Sequence, residues 1–278
     1  MVARVLVLMV VVLFGCITTT SVVGQQLDIG DLASLDNVTQ IADWEERCRV
    51  TAGDEALKDI KDSFGELVVC VQKHIKMSKL EREVNVSIAR GELDKVFKKY
   101  CKKRDKLVAC TEDVFTKLER CTNEQEKQDL NVTRKVIDAG IDFVCHNDGD
   151  RIALFMAEKG EECLKQHYED IQQCTEDKVP EIQKFKNNSK SIDIELLTIN
   201  EENCKKLDVL HECVVEYTSR CDDETPANIL GSLITQMLKV TPCSQTSSAS
   251  TLLSHTRYLL PHLLTLLAAA LTAANILL

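Results

Sequence analysis

Thirteen cysteines and six histidines are the residues of this chain best suited to chemistry. A thiolate beside an imidazole would make a nucleophile–base pair. A Cys/His cluster would make a zinc site. Cysteines oxidised in pairs would make a cross-linked frame. Spacing separates these readings. His211-Glu212-Cys213 sets a base beside a thiol, but Cys213 belongs to a repeated set of cysteines, and a paired cysteine has no thiolate to attack with. There is no CxxC and no clustered Cys/His spacing, so a structural zinc site is not expected. G-x-S-x-G, H-E-x-x-H, a P-loop and a dinucleotide fingerprint are also missing from the sequence. His74, His146 and His167 stand in no hydrolase or metal motif, and His255 and His262 lie in a C-terminal segment expected to be removed. No catalytic residue, metal ligand or cofactor is assigned, and the expectation is that the protein is not an enzyme.

The termini explain the cysteine usage. Residues 1–24 carry one basic residue, Arg4, an apolar run from Val5 to Phe14, and small residues before Gln25. That is the pattern of a secretory signal peptide. At the other end, Ser247-Ser248-Ala249-Ser250 is a cluster of small residues inside a small, polar spacer, 244–257. The tail 258–278 is almost wholly apolar. Small residues, a spacer and an apolar tail form a GPI-anchor signal, with Ser247 and Ser248 as candidate attachment sites. A C-terminal transmembrane helix is the alternative, weakened by Pro261, His262 and Asn275 and by the lack of a basic stop after the tail. The expected location is extracellular, on the cell surface through the anchor or otherwise secreted. Four sequons fit that route, at Asn37, Asn85, Asn131 and Asn187. Without the leader and everything after Ser248, the formal charge moves from −10 to −12, because those segments hold Arg4 and Arg257 and no acids. So acidic a chain does not seek nucleic acid or anionic lipid through its net field.

Cys16 leaves with the leader. The other twelve are Cys48, Cys70, Cys101, Cys110, Cys121, Cys145, Cys163, Cys174, Cys204, Cys213, Cys221 and Cys243. An even number in a secreted chain predicts a disulfide framework. The elements that carry it read as helical, because proline and glycine are sparse and apolar residues step at three and four. Leu57, Ile60, Phe64, Leu67, Val68, Val71 and Ile75 form one stripe, and Leu93, Val96, Phe97 and Tyr100 open another. A third is Leu207, Leu210, Val214 and Tyr217. These stripes are expected to face a core, and no alternation suggests a sheet. The fold class is all-α.

An internal repeat organises the helices. Cys101 to Cys110 and Cys204 to Cys213 both read C-K-K-x-D-x-L-x-x-C, and each leads to an Arg-Cys pair, at Cys121 and Cys221. A cysteine pair precedes each and one more cysteine follows. Two six-cysteine halves are predicted, 40–148 and 149–243, packed as one unit behind a short N-terminal segment, 25–39. If Cys101 and Cys110 share a helix, nine residues at about 1.5 Å rise separate them by roughly 13 Å, about twice the usual disulfide limit of about 7 Å. Cys204 and Cys213 meet the same objection. If the helices continue that far, Cys110–Cys121 and Cys213–Cys221 are excluded too, and each triplet must then bond outward to Cys48, Cys70 and Cys145, or to Cys163, Cys174 and Cys243. That reduces the connectivities to six per half.

The stretch from Phe143 to Glu158 is the most distinctive. Asn147, Asp148, Gly149 and Asp150 resemble calcium ligands, but their spacing is wrong for a helix–loop–helix site. The better reading is a turn at Asn-Asp-Gly, with Asp150 capping a helix that carries Glu158. Thr225 is likewise read as the cap of a helix beginning at Pro226. The runs Lys102-Lys103-Arg104 and Glu124 to Asp129 are read as solvated faces.

Several motifs resemble the insect 27 kDa hemolymph glycoprotein family. They are Phe143-Val-Cys145-x3-Gly-Asp-Arg-Ile-Ala-Leu-Phe-x-Ala-Glu158 with Gly160-x2-Cys163, Val96-Phe-Lys-Lys-Tyr-Cys101, Leu207-Asp-x-Leu-His-Glu-Cys213-Val-Val-Glu216, and Thr225-Pro-Ala-Asn-Ile229 with Thr241-Pro-Cys243. The resemblance spans about Cys48 to Cys243. It implies a secreted, glycosylated hemolymph protein with no established activity, so it transfers no functional residue. The tail beyond Cys243 departs from the family and suggests a surface-tethered relative. The expected function is non-enzymatic binding of an extracellular macromolecule or surface. The alternative is a carrier of a small apolar, lipid-like ligand in a helical cavity. No ligand-binding residue is assigned.

Overall fold

The structure is a computed structural model that describes residues 39–180 and 201–244. Among these residues there are ten α-helices and no strand. In chain order they are α1 Thr39–His74, α2 Met77–Ile88, α3 Leu93–Cys101, α4 Arg104–Leu118, α5 Glu124–Val144, α6 Asp150–Ala157, α7 Gly160–Gln166, α8 Tyr168–Lys178, α9 Glu201–Thr218 and α10 Thr225–Leu238. α1 is two helices joined at Gly53, whose φ of 87° breaks the helical backbone and is a conformation that favours glycine.

α1 runs antiparallel to α4. Cys70 bonds to Cys110, Glu66 pairs with Lys117, Asp59 pairs with Arg120, and Cys48 bonds to Cys121 in the 3-10 turn after α4. In the second half, α8 packs on α9 through Cys174–Cys213, and Cys163 of α7 bonds to Cys221, just past the end of α9. α10 then closes against both α9 and α5.

The main core is shared by the two halves. Val84, Phe97 and Tyr100 of the first meet Phe155, Val214 and Leu230 of the second. Phe155 is fully buried. Its ring fills the space beside Gly160, where an added Cβ would come within 2.3 Å of it. Gly149 has φ 96° and lies against Phe97, 2.7 Å from where a Cβ would stand. The glycine thus lets the 146–149 turn reach the core.

Three local expectations need correction. Phe64 is 42% exposed while Ser63, its neighbour, is fully buried. Ser63 satisfies its hydroxyl by donating to the Ile60 carbonyl at 2.6 Å, so a small hydroxyl takes the core position and the stripe turns away from Phe64. Asp150 is not a cap: Gly149 stands at that position, and Asp150 lies in the first turn of α6 without a capping hydrogen bond, where its charge still favours the helix N-terminus. Glu158 lies just past the end of α6. Thr225 is the first residue of α10, after Glu224, and its backbone N–H donates to Asp223 at 2.7 Å. That pair of hydrogen bonds, from the Thr225 side chain and backbone, holds the Asp223 carboxyl below its ordinary range.

Candidate functional site

All twelve cysteines of the proposed framework are paired: 48–121, 70–110, 101–145, 163–221, 174–213 and 204–243. Every bond joins a triplet cysteine to a flanking one, and none crosses between the halves. The order is also the same in each half. The first flank takes the third triplet member, the second flank takes the second, and the first triplet member takes the last flank. One premise differs from expectation. Cys101 ends α3 and Cys110 lies within α4, because the helix breaks at Lys102 and Lys103. Cys204 and Cys213 do share one helix, α9.

With these bonds in place, no free thiol lies beside a histidine among the described residues. Cys213, beside His211, is fully buried and bonded to Cys174. His74, Cys70 and Cys110 bring their ligand atoms within 4.8 Å of one another, but both sulfurs are spent in a disulfide. His167 is buried, with Nδ1 3.1 Å from Asp170 Oδ2 and its ring tilted against Tyr217 at 6.5 Å. Its Nε2 has no hydrogen-bond partner among the described residues. His146 is exposed in the 146–149 turn.

That turn behaves as a turn. Asn147, Asp148 and Gly149 have φ of 46°, 63° and 96°, and Asp148 is occupied by Lys98 at 2.7 Å. Asn85 and Asn131 are exposed on α2 and α5, and Asn131 Oδ1 accepts from Arg134 at 2.8 Å. Asn37, Asn187, Ser247 and Ser248 lie outside the described residues.

Two charged runs have structural roles that their sequence reading missed. Glu126 completes a capping box for α5: Asn123 Oδ1 accepts from the Glu126 N–H at 2.9 Å, and the Asn123 N–H donates to Glu126 Oε2 at 2.8 Å. The signal was present as Asn followed three residues later by Glu. Burial pushes the Glu126 carboxyl up, but hydrogen bonds from Arg47 and from the Asn123 backbone outweigh it and leave it below its ordinary range. Arg47 reaches Glu126 at 2.8 Å, over a shallow open cleft of about 300 Å³ that includes Val50, Thr51 and Cys121. In the basic run, Arg104 pairs with Asp142, with Asp138 at 2.5 Å and with Asp105 at 3.0 Å. Lys103 donates to the His74 carbonyl at 2.6 Å. Beside it, burial and then a hydrogen bond to Glu83 push Tyr100 up to about 12, while the Lys99 ammonium holds Glu83 below its ordinary range.

No helix among the described residues is long and apolar enough to cross a membrane. A family model described as a protein of unknown function (DUF1397) matches residues 34–243, which contain all six bonds. The chain is similar to the 27 kDa hemolymph glycoprotein of Manduca sexta, 30% identical over 225 residues, covering 81% of this chain and 92% of that one. It is 31% identical to the 27 kDa hemolymph protein of Galleria mellonella over 219 residues, covering 78% and 90%. It is 31% identical to the 27 kDa glycoprotein of Bombyx mori over 200 residues, covering 71% and 84%. No solved structure matches the chain.

Proposed function

The chain belongs to the family of the insect 27 kDa hemolymph glycoproteins, and on that premise we propose that it is a non-enzymatic extracellular glycoprotein that acts by binding a macromolecule or a cell surface. It is exported by residues 1–24, carries N-glycans on its sequons, and is tethered by a lipid anchor added near Ser247 or Ser248. Its two halves descend from one six-cysteine unit, a reading supported by the identical order of their bonds.

The observation that carries the binding reading is how tightly the interior is filled. The shared core is closed by Phe97, Tyr100 and Phe155, with Gly160 against the Phe155 ring and Gly149 against the Phe97 Cβ, where no methyl would fit. A carrier of a small apolar ligand needs a concave, mostly apolar pocket that buries most of that ligand. The cleft at Arg47, lined by Val50, Thr51 and Cys121 as well as Glu46, Arg47, Thr122 and Asn123, is open to solvent and does not enclose a ligand. Such an interior supports a protein that works through its outer surface.

The experiment is made on the full-length protein expressed in insect cells. Phosphatidylinositol-specific phospholipase C is expected to release it from the cell surface. The released protein, labelled, is expected to bind untreated insect cells saturably, and native mass spectrometry should give the mass of polypeptide plus glycans. A lipid retained at one per chain, with no saturable cell binding, would establish the carrier instead. Resistance to the phospholipase would place the tail across the membrane.

A further inference from the structure

The first half carries a basic end that is out of character with the rest of the chain. Between Leu67 and Leu80 stand Lys73, His74, Lys76 and Lys79 with no acid, and the run 98–106 holds six Lys or Arg against Asp105. The fold joins the two segments. Lys103 Nζ donates to the His74 carbonyl at 2.6 Å. The ammonium groups of Lys99 and Lys103 both lie over the Tyr100 ring, 5.0 and 5.1 Å from its centre. Of the nearby carboxylates, Glu83 takes Lys99 and Lys79, Asp148 takes Lys98, and Asp105, Asp138 and Asp142 take Arg104. Lys73, Lys76, Lys102 and Lys106 are exposed and have no carboxylate partner among the described residues.

The second half supplies an internal comparison. Cys174–Cys213 holds the place of Cys70–Cys110. After Cys70 comes Val-Gln-Lys-His-Ile-Lys, whereas after Cys174 comes Thr-Glu-Asp-Lys-Val-Pro, and its Lys178 lies 3.7 Å from Glu212. Lys102 and Lys103 recur in the second half as Lys205 and Lys206, but Arg104 and Lys106 are replaced there by Leu207 and Val209, so the full basic end, with Lys73 and Lys76, is found in the first half alone.

We infer that this end is a docking strip for a linear sulfated polysaccharide. Several exposed lysines on two segments that the fold joins act as point charges and suit a partner whose sulfates repeat along a chain. Clusters of this kind form heparin-type patches. The net negative charge of the molecule does not prevent docking, since at physiological salt fields are screened beyond about 8 Å and the strip acts locally. Anionic phospholipid is concentrated on the cytoplasmic leaflet, which an exported protein does not meet. The inference rests on the extracellular binding reading above and names the partner for it.

The test uses the mature protein recovered from insect cells, with heparin as the probe. The wild type is expected to be retained on immobilised heparin at about 0.15 M ionic strength and to elute with added salt. K73A/K76A/K102A/K106A should lose that retention. The slope of log affinity against log salt should fall by about 3, taking roughly 0.7 per lost charge as for a single-stranded polyanion. The charge-matched control K58A/K135A/K205A/K239A should behave as wild type. Circular dichroism identical to wild type confirms that both variants fold. Free passage of the wild type, or equal weakening in both variants, overturns the inference. So does binding to phosphatidylserine vesicles without binding to heparin. Saturable cell binding that heparin does not compete away overturns the sulfated-glycan partner while leaving the wider binding reading standing.

Discussion

Replacing Cys174 and Cys213 together by alanine is expected to lower the free energy of unfolding by about 4 kcal/mol, the chain-entropy value for a loop of this size. The bond closes 39 residues and ties α8 to the middle of α9. Both cysteines are buried, Cys213 completely. The alanines therefore leave no solvated gap that the helices could readily close, and a small cavity cost adds to the entropy term. Denaturant unfolding of the wild type and the double variant measures the effect. A difference below about 1 kcal/mol would mean that packing alone holds α8 on α9, contrary to the account of a cross-linked frame.

The second large effect is at the seam between the halves. Phe155→Ala is expected to cost about 3–5 kcal/mol, the usual range for a buried phenylalanine. The ring is fully buried and packs against elements of both halves, so its loss removes contacts on both sides of the shared core at once. Leu154, its neighbour on α6, is 47% exposed, and Leu154→Ala should stay within about 0.5 kcal/mol of wild type. Gly160→Ala tests the same packing from the other direction. Its methyl has no room beside the Phe155 ring, and overpacking of this kind costs about 1–3 kcal/mol. Equal stability of the 154 and 155 variants would show that the halves fold without a common core.

The fold class was legible because helical periodicity and a shortage of glycine and proline act over long windows. Buried Leu57, Val96, Phe97, Leu210 and Val214 all lie where the stripes put them. What periodicity missed was local. Phe64 continues the pattern on paper, yet Ser63 occupies the buried position because its hydroxyl can be satisfied within the helix. The helix break at Lys102 and Lys103 was not legible either. No glycine or proline marks it, and a tertiary contact, Lys103 to the His74 carbonyl, holds it. The cap before α6 moved by one residue to Gly149, whose left-handed backbone lies so close to Phe97 that a side chain there would have no room.

The candidate site was legible only in its covalent part. Spacing restricted the cysteine pairs to triplet against flank, but the choice among the remaining orders depends on which helices run antiparallel, and that is a tertiary fact. The basic end depends equally on the fold. Lys73 and Lys76 are far in sequence from Lys102 and Lys106, and it is the contact of Lys103 with the His74 carbonyl that joins their segments. Glu126 shows the reverse case: its capping role was written in Asn123-x-x-Glu126, inside a run whose charge suggested nothing but solvent.

The central structural claim is that each half is closed by its own three bonds in the same order. Peptide mapping of the non-reduced protein by mass spectrometry tests it most directly. The expected pairs are 48–121, 70–110 and 101–145 in the first half, with 163–221, 174–213 and 204–243 in the second. A bridge between the halves, or a bond joining Cys101 to Cys110 or Cys204 to Cys213, would contradict it.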